Sequence, residues 1–328
     1  MNETERSQRR GPVLTTDGNR LCLDGDPIDV WGIRTSSATA SDEQCEHLID
    51  QLDEYAANGV NAVTVFYQGC MGAHYDPFAP DGSELDPDHR RRMERIVEAC
   101  AERDMIVVAG IFYQRAPFGL EDADAVREAV RRVTEHLRPY GNVAINIVNE
   151  HTSYLWGDCD AFDFHDPERV LDLCRVVDEV DPGRPVGAGG YHPETCAVIG
   201  RDPACDVLMF DTGDEELTGF DSGEMHDRLV RAGVTETPIV NVELYGGWTG
   251  NFPRGVFPTD ARKAYENEIG RAAERPGLSV FFHSNTWCQS VHQSMRYDLG
   301  GQGTADDPGI RWFFERVREV RTRDDSEV

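Results

Sequence analysis

The run Val143-Ala144-Ile145-Asn146-Ile147-Val148-Asn149-Glu150 decides how this chain reads. Apart from Asn146, its first part is continuously apolar and rich in β-branched residues. It is too short for an ordinary buried helix and ends abruptly in Asn149-Glu150. That is the pattern of a parallel strand covered on both faces, delivering two polar side chains just past its C-terminal end. Working outward, similar runs occur at Ile28–Ile33, Val60–Phe66, Met105–Phe112, Pro185–Ala188, Val207–Phe210, Ile239–Val242 and Leu278–Phe282. Amphipathic stretches separate them: Asp42–Ala57, Pro87–Arg103, Ala123–Leu137, Pro167–Val180, Gly223–Ala232 and Thr259–Ala273, with Pro308–Val320 closing the chain. Pro87, Pro167 and Pro308 stand where a first helical turn accepts proline. Only the link around Glu194–Gly200 reads as too short for a helix.

This alternation predicts an α/β protein, a single (β/α)8 TIM barrel. Before it, Val13-Leu14 and Leu21-Cys22-Leu23, with turns at Asp17-Gly18-Asn19 and Asp24-Gly25-Asp26, predict a short N-terminal β-hairpin. A doubly wound nucleotide-binding sheet would show the same alternation. No G-x-G-x-x-G follows the first run, however, so that version lacks its phosphate loop. The expected organisation is a tail over residues 1–10, a barrel over 11–322 and a short tail over 323–328.

Composition sets the boundaries of function. Asp and Glu number 60 against 32 Lys and Arg, a formal charge of -28, and Lys263 is the only lysine. An acidic surface almost without lysine fits a salt-rich cytoplasm, where screening relieves self-repulsion. It also argues against nucleic acid and anionic membranes as partners. The nine cysteines are scattered, odd in number and without a C-x-x-C pair, which suits reduced thiols in a cytoplasmic protein. Arg9-Arg10 is not followed by the apolar run of an export signal. His283 and His292 fit no common zinc spacing, so neither a metal nor another cofactor is expected.

In a barrel of this kind chemistry sits at the C-terminal ends of the strands. The fourth run ends in Asn149-Glu150, and the seventh, Pro238-Ile239-Val240-Asn241-Val242-Glu243, ends in a second glutamate. Roughly three βα units separate them, which puts both at one mouth, nearly opposite each other. Two carboxyl groups so placed suit glycosidic cleavage: one protonates the departing oxygen while the other attacks the anomeric carbon, and a spacing of about 5–5.5 Å gives retention. Around them, Arg34, Tyr113, His192 and Asp211 follow other runs, and with Tyr245, two residues past Glu243, are candidates for binding substrate. Arg34 could also bring positive charge to the site. Tyr67, Trp156 and Trp248 are candidates for a groove floor.

On these residues the chain resembles the clan A glycoside hydrolases, the 4/7 superfamily, and within it a divergent enzyme of the family 5 cellulase and mannanase type. Asn149-Glu150, Glu243, Trp287 after the eighth run, and Leu23-Asp24-Gly25-Asp26-Pro27-Ile28 leading into Trp31-Gly32-Ile33 carry the resemblance. It implies a carbohydrate substrate, Glu150 as acid/base, Glu243 as nucleophile, Asn149 on the sugar 2-OH and Trp287 as a platform beneath the sugar. The chain departs from family 5 at three places. Thr64 stands where an Arg is usual, the third run ends Phe112-Tyr113-Gln114-Arg115 without the usual His, and the usual Tyr after the sixth run is missing from Phe210-Asp211-Thr212-Gly213. A barrel that binds carbohydrate but has lost hydrolysis is the alternative reading.

Overall fold

Every expected apolar run contributes to one parallel sheet. The computed structural model describes residues 9–69, 75–212, 221–244, 255–283 and 296–324, with backbone alone at Thr212 and over 322–324. Three short strands, β1 (Leu14–Asp17), β2 (Arg20–Leu23) and β3 (Asp26–Ile28), form an antiparallel sheet. The barrel strands follow as β4 (Trp31–Arg34), β5 (Ala62–Phe66), β6 (Ile106–Phe112), β7 (Val143–Val148), β8 (Val186–Gly187), β9 (Leu208–Thr212), β10 (Ile239–Leu244) and β11 (Leu278–Phe282). Their order is β8-β7-β6-β5-β4-β11-β10-β9, all parallel. Backbone hydrogen bonds bring the two ends of that order together: Asp206 N donates to Val186 O (2.8 Å), Met209 N to Ala188 O (3.3 Å) and Asp211 N to Gly190 O (3.2 Å). The barrel is nearly closed.

Glycine makes this seam possible. A Cβ on Gly187 would lie 1.8 Å from Val207 O, and one on Gly189 would lie 1.1 Å from Met209 O. The two backbones approach too closely for any side chain between them.

The strands are buried on both faces, as their continuous apolar character requires. Along β6, Ile106 and Val108 join Val207, Met209, Val240, Val242 and Phe281 inside the barrel, while Val107, Ala109 and Ile111 pack outward. Leu14 and Leu21 belong to the inner cluster, so the N-terminal sheet stoppers the end of the barrel away from the site.

Around the sheet lie α1 (Asp42–Ala57), α2 (Pro87–Ala101), α3 (Ala123–Leu137), α4 (Pro167–Val180), α5 (Pro193–Arg201), α6 (Ser222–Arg231), α7 (Thr259–Ala273) and α8 (Arg311–Asp324). Side chains of Ser41, Asp86, Asp122, Asp166 and Asp221 accept hydrogen bonds from first-turn N–H groups, which fixes where these helices start. No helix among the described residues is long and apolar enough to cross a membrane.

Three expectations change. The link around Glu194–Gly200 is the helix α5, started by Pro193 and held by burial of Cys196, Ala197, Ile199 and Gly200. The first run is split: Ile28 pairs with Leu21 in the small sheet, and the barrel strand begins at Trp31. The last helix starts at Arg311 rather than Pro308, because Pro308 O accepts from Gly301 N and Ile310 N donates to Leu299 O in a loop bridge. At the N-terminus, Arg9 pairs with Asp181 at 2.8 Å and Arg10 N donates to Pro139 O, so the last two residues of the expected tail are held against the barrel.

Candidate active site

Glu150 leaves β7 in a strained conformation. Its φ is 44°, a left-handed value that a residue with a Cβ adopts at a cost of about 1–2 kcal/mol. The surrounding turn holds it there. Ser153 N donates to Glu150 O (2.8 Å), His151 N to Gly189 O (3.2 Å) and Trp156 Nε1 to Asn149 O (3.1 Å). Trp156 is itself wedged against Phe164, with ring centroids 4.3 Å apart. Asp24 and Asp104 also take positive φ, both in turns; Glu150 is the one of the three that stands at a barrel strand's C-terminal end.

Glu243 reaches the same mouth by a different device. Pairing between β10 and β9 shifts from Asn241↔Phe210 to Glu243↔Asp211, leaving Val242 as the extra residue of a bulge. Asn241 Oδ1 accepts from Glu243 N (3.1 Å), and Asn241 Nδ2 donates to Ser222 Oγ (2.8 Å). A bulge re-aims the side chain after it, so Glu243 is turned while Val240 and Val242 stay in the inner core.

One arginine joins the two sides. Arg34, at the end of β4 and fully buried, places NH2 2.8 Å from Glu243 Oε2. The same nitrogen donates to Asn149 Oδ1 (2.9 Å), NH1 donates to Val242 O (3.3 Å), and the guanidinium lies 5.1 Å from the Phe66 ring centroid. Asn149 Nδ2 then donates to Gln114 Oε1 at 3.0 Å, and Gln114 Nε2 donates to Glu150 Oε2. A continuous chain of side chains therefore runs Glu243–Arg34–Asn149–Gln114–Glu150.

Asp211, only 2% exposed, sits beside Glu243 in the sheet, and its Oδ1 has no hydrogen-bond partner among the described residues. Burial, then the charge of Glu243, push its carboxyl up to about 8 against the pull of Arg34. Glu150 is pushed well above the carboxylate range, first by loss of solvation and then by Glu243 and Asp211, with Arg34 and Arg115 opposing. Burial and neighbouring carboxylates thus favour the protonated forms of Asp211 and Glu150. His151 is pulled down to about 4 by burial, so its imidazole is neutral, with Nδ1 3.3 Å from Phe164 O.

Of the residues singled out in the sequence, Arg34, Asn149, Glu150, Asp211 and Glu243 come together here. Tyr113 is buried edge-on against Phe66, the ring that also meets Arg34, with centroids 5.6 Å apart. His192 is exposed at the start of α5, its ring 4.8 Å from Tyr191, and no hydrogen bond ties it to the network among the described residues. Tyr245, Trp248 and Trp287 lie outside the described residues. Tyr67 and Trp156 do not floor a groove: Tyr67 is buried with its hydroxyl 2.7 Å from His136 Nδ1, and Trp156 supports the Glu150 turn. Gln114 is the residue that sequence reasoning missed. Its signal was its place just past the third apolar run, where it registered only as an absent histidine. Among the described residues no group of His, Cys, Asp or Glu is arranged to hold a metal ion.

No protein-family model matches the chain, and none of the curated proteins compared with it matches in sequence. Solved structures do resemble it in fold. A Bacteroides vulgatus protein provisionally described as a glycoside hydrolase superposes with a TM-score of 0.66 at 14% identity over 96% of this chain; the match spans 62% of that protein, less than two thirds of its length. The endo-1,4-beta-mannanase of Rhizomucor miehei gives 0.62 at 12% identity, covering 83% of this chain and 90% of that one. The beta-1,4-D-mannanase of Cryptopygus antarcticus gives 0.63 at 10% identity, covering 94% of each. The chain thus has the (β/α)8 barrel fold found in these glycoside hydrolases.

Proposed function

We propose that this protein is a retaining glycoside hydrolase acting on a β-linked glycoside, with Glu243 as nucleophile and Glu150 as acid/base. The observation that carries the reading is the unequal setting of the two glutamates. Glu243 faces the permanent cation Arg34 at 2.8 Å, whereas burial and neighbouring carboxylates keep the proton on Glu150. A carboxyl set against a fixed cation and a second one that holds its proton, at one barrel mouth, suit double displacement.

In the first step an oxygen of Glu243 bonds to the anomeric carbon as the glycosidic C–O bond breaks. The departing oxygen takes the Glu150 proton. Glu150, now ionised, removes a proton from water, whose oxygen displaces Glu243 and regenerates both groups. Arg34 supplies the fixed positive charge against which the nucleophile is held, and Asn149 is committed to Arg34 and Gln114, leaving one N–H for a sugar hydroxyl. Thr64, standing where family 5 enzymes carry arginine, is what lends weight to the non-catalytic alternative; Arg34 beside Glu243 offers a positive charge from another strand. The mannanases with the same fold make β-mannosides the first substrates to try.

The test is hydrolysis of aryl β-mannosides and β-glucosides at molar KCl, with the product anomer read by NMR before mutarotation. Release of the β-anomer first supports the proposal. Release of the α-anomer, or no turnover on any β-glycoside, contradicts it.

A further inference from the structure

We infer that Gln114 determines which oxygen of Glu150 carries the catalytic proton, through a hydrogen-bond relay whose direction is imposed by Arg34. The inference rests on the roles proposed for Glu150 and Glu243.

The relay has one possible polarity. A guanidinium has donors and no acceptor, so the Asn149 atom that meets Arg34 NH2 at 2.9 Å must be Oδ1. Asn149 Nδ2 is then fixed as the atom facing Gln114, at 3.0 Å. A donor there requires the carbonyl oxygen of Gln114, which turns Gln114 Nε2 toward Glu150 Oε2. Reversing either amide would set two donors or two acceptors face to face in a site where Arg34 is fully buried and Asn149 is 1% exposed. Arg34 thus specifies the orientation of Gln114 without touching it.

For Glu150 the consequence is chemical. Oε2 accepts from an N–H, and the carbonyl oxygen of a neutral acid is its better acceptor, so the bond favours Oε2 as carbonyl and Oε1 as the oxygen that carries the proton. Oε1 is the atom that gives its proton to the departing oxygen as the glycosidic bond breaks. In the second step Oε1 takes a proton from the attacking water while Oε2 keeps the bond from Gln114. That bond favours the ionised carboxylate, so Gln114 tempers the effect of burial and of the neighbouring Glu243 and Asp211, with Arg34 and Arg115 acting on the same side as Gln114. Gln114 is therefore a positioning residue. It acts on the substrate through Glu150.

The experiment compares the wild type with Gln114→Ala and with the isosteric Gln114→Glu. Each is assayed on an aryl glycoside with a dinitrophenolate leaving group, which needs no proton, and on a methyl or alkyl glycoside, which does. The pH dependence of kcat/KM is measured for both. Loss of the donor should lower kcat/KM on the alkyl substrate at least tenfold more than on the dinitrophenyl substrate. It should also move the alkaline limb to higher pH. In Gln114→Glu a second carboxyl meets Oε2 and must share a proton with it, so the limb should move up there too. Equal losses on both substrates with an unmoved limb would overturn the relay and leave Gln114 a packing residue. If Gln114→Ala does not fold, an unmoved limb in Gln114→Glu overturns it alone. No hydrolysis of either substrate by the wild type would instead remove the functional reading beneath it.

Discussion

Arg34 at the end of β4 and Glu243 at the end of β10 meet at 2.8 Å across the intervening strand β11, with the arginine fully buried. Thr64 lies on β5, one strand to the other side of Arg34, so the positive charge of this site comes from the first barrel strand rather than the second. Lysine cannot replace it. The guanidinium meets Glu243 and Asn149 through one nitrogen and the Val242 carbonyl through another, a fork that the single nitrogen of an ammonium does not reproduce. Arg34→Lys should lower kcat/KM by about 100-fold or more. Arg34→Ala should also destabilise the fold by about 3–5 kcal/mol, since it strands a buried carboxylate. Steady-state kinetics and urea titration measure both; an Arg34→Lys enzyme with wild-type kcat/KM would refute the arrangement.

The positive φ of Glu150 separates backbone strain from chemistry. Both Glu150→Ala and Glu150→Gly lose the acid/base, yet only glycine relieves the left-handed conformation. Its extra chain entropy in the unfolded state offsets part of that gain. The glycine variant should therefore be more stable than the alanine variant by about 1 kcal/mol. Equal urea midpoints would mean that the turn carries no strain.

Asp211 makes stability fall with rising pH. The unfolded chain releases this proton near pH 4, whereas the buried carboxyl in the fold holds it up to about 8. Between those values the folded state binds more protons, so its stability is full below the lower value and declines as pH rises through the upper one. Asp211→Asn removes the ionisation. Relative to wild type it should gain at least about 1 kcal/mol at pH 8 and little at pH 4. A pH-independent difference between the two proteins would contradict this.

The excess of acidic residues predicts a response to salt. With a formal charge of -28, repulsion acts across the whole surface, while each exposed Arg–carboxylate pair contributes only about 0–1 kcal/mol. Raising KCl from about 0.1 M to 1 M shortens the screening length from about 10 Å to about 3 Å. Relief of repulsion should outweigh the weakened pairs, and Tm should rise. A falling Tm would show that the surface pairs dominate.

Much of this was legible in the sequence because it depends on local rules. The helices Asp42–Ala57, Ala123–Leu137, Pro167–Val180 and Thr259–Ala273 begin and end where capping residues, prolines and apolar periodicity place them. The two glutamates were visible because each ends an apolar run. What could not be read depends on distances between elements. The run Pro185–Ala188 was visible as a strand, but the close approach of β9 that Gly187 and Gly189 permit was not. The helix α5 is stabilised by what its apolar residues pack against, not by its length. Gln114 carries no special spacing, and its part in the site arises only when β6 and β7 lie side by side. The pairing of Arg34 with Glu243 likewise needed the barrel to bring β4 and β10 to one mouth.

The central claim is most directly tested by Glu243→Gly with sodium azide and a dinitrophenyl β-glycoside that the wild type hydrolyses. Turnover without azide should fall by about 10⁴-fold or more. Azide should restore it by attacking the anomeric carbon from the face that Glu243 vacated, releasing the phenolate and forming the α-glycosyl azide. Substantial turnover by Glu243→Gly without azide, or a β-glycosyl azide as product, would contradict Glu243 as the nucleophile.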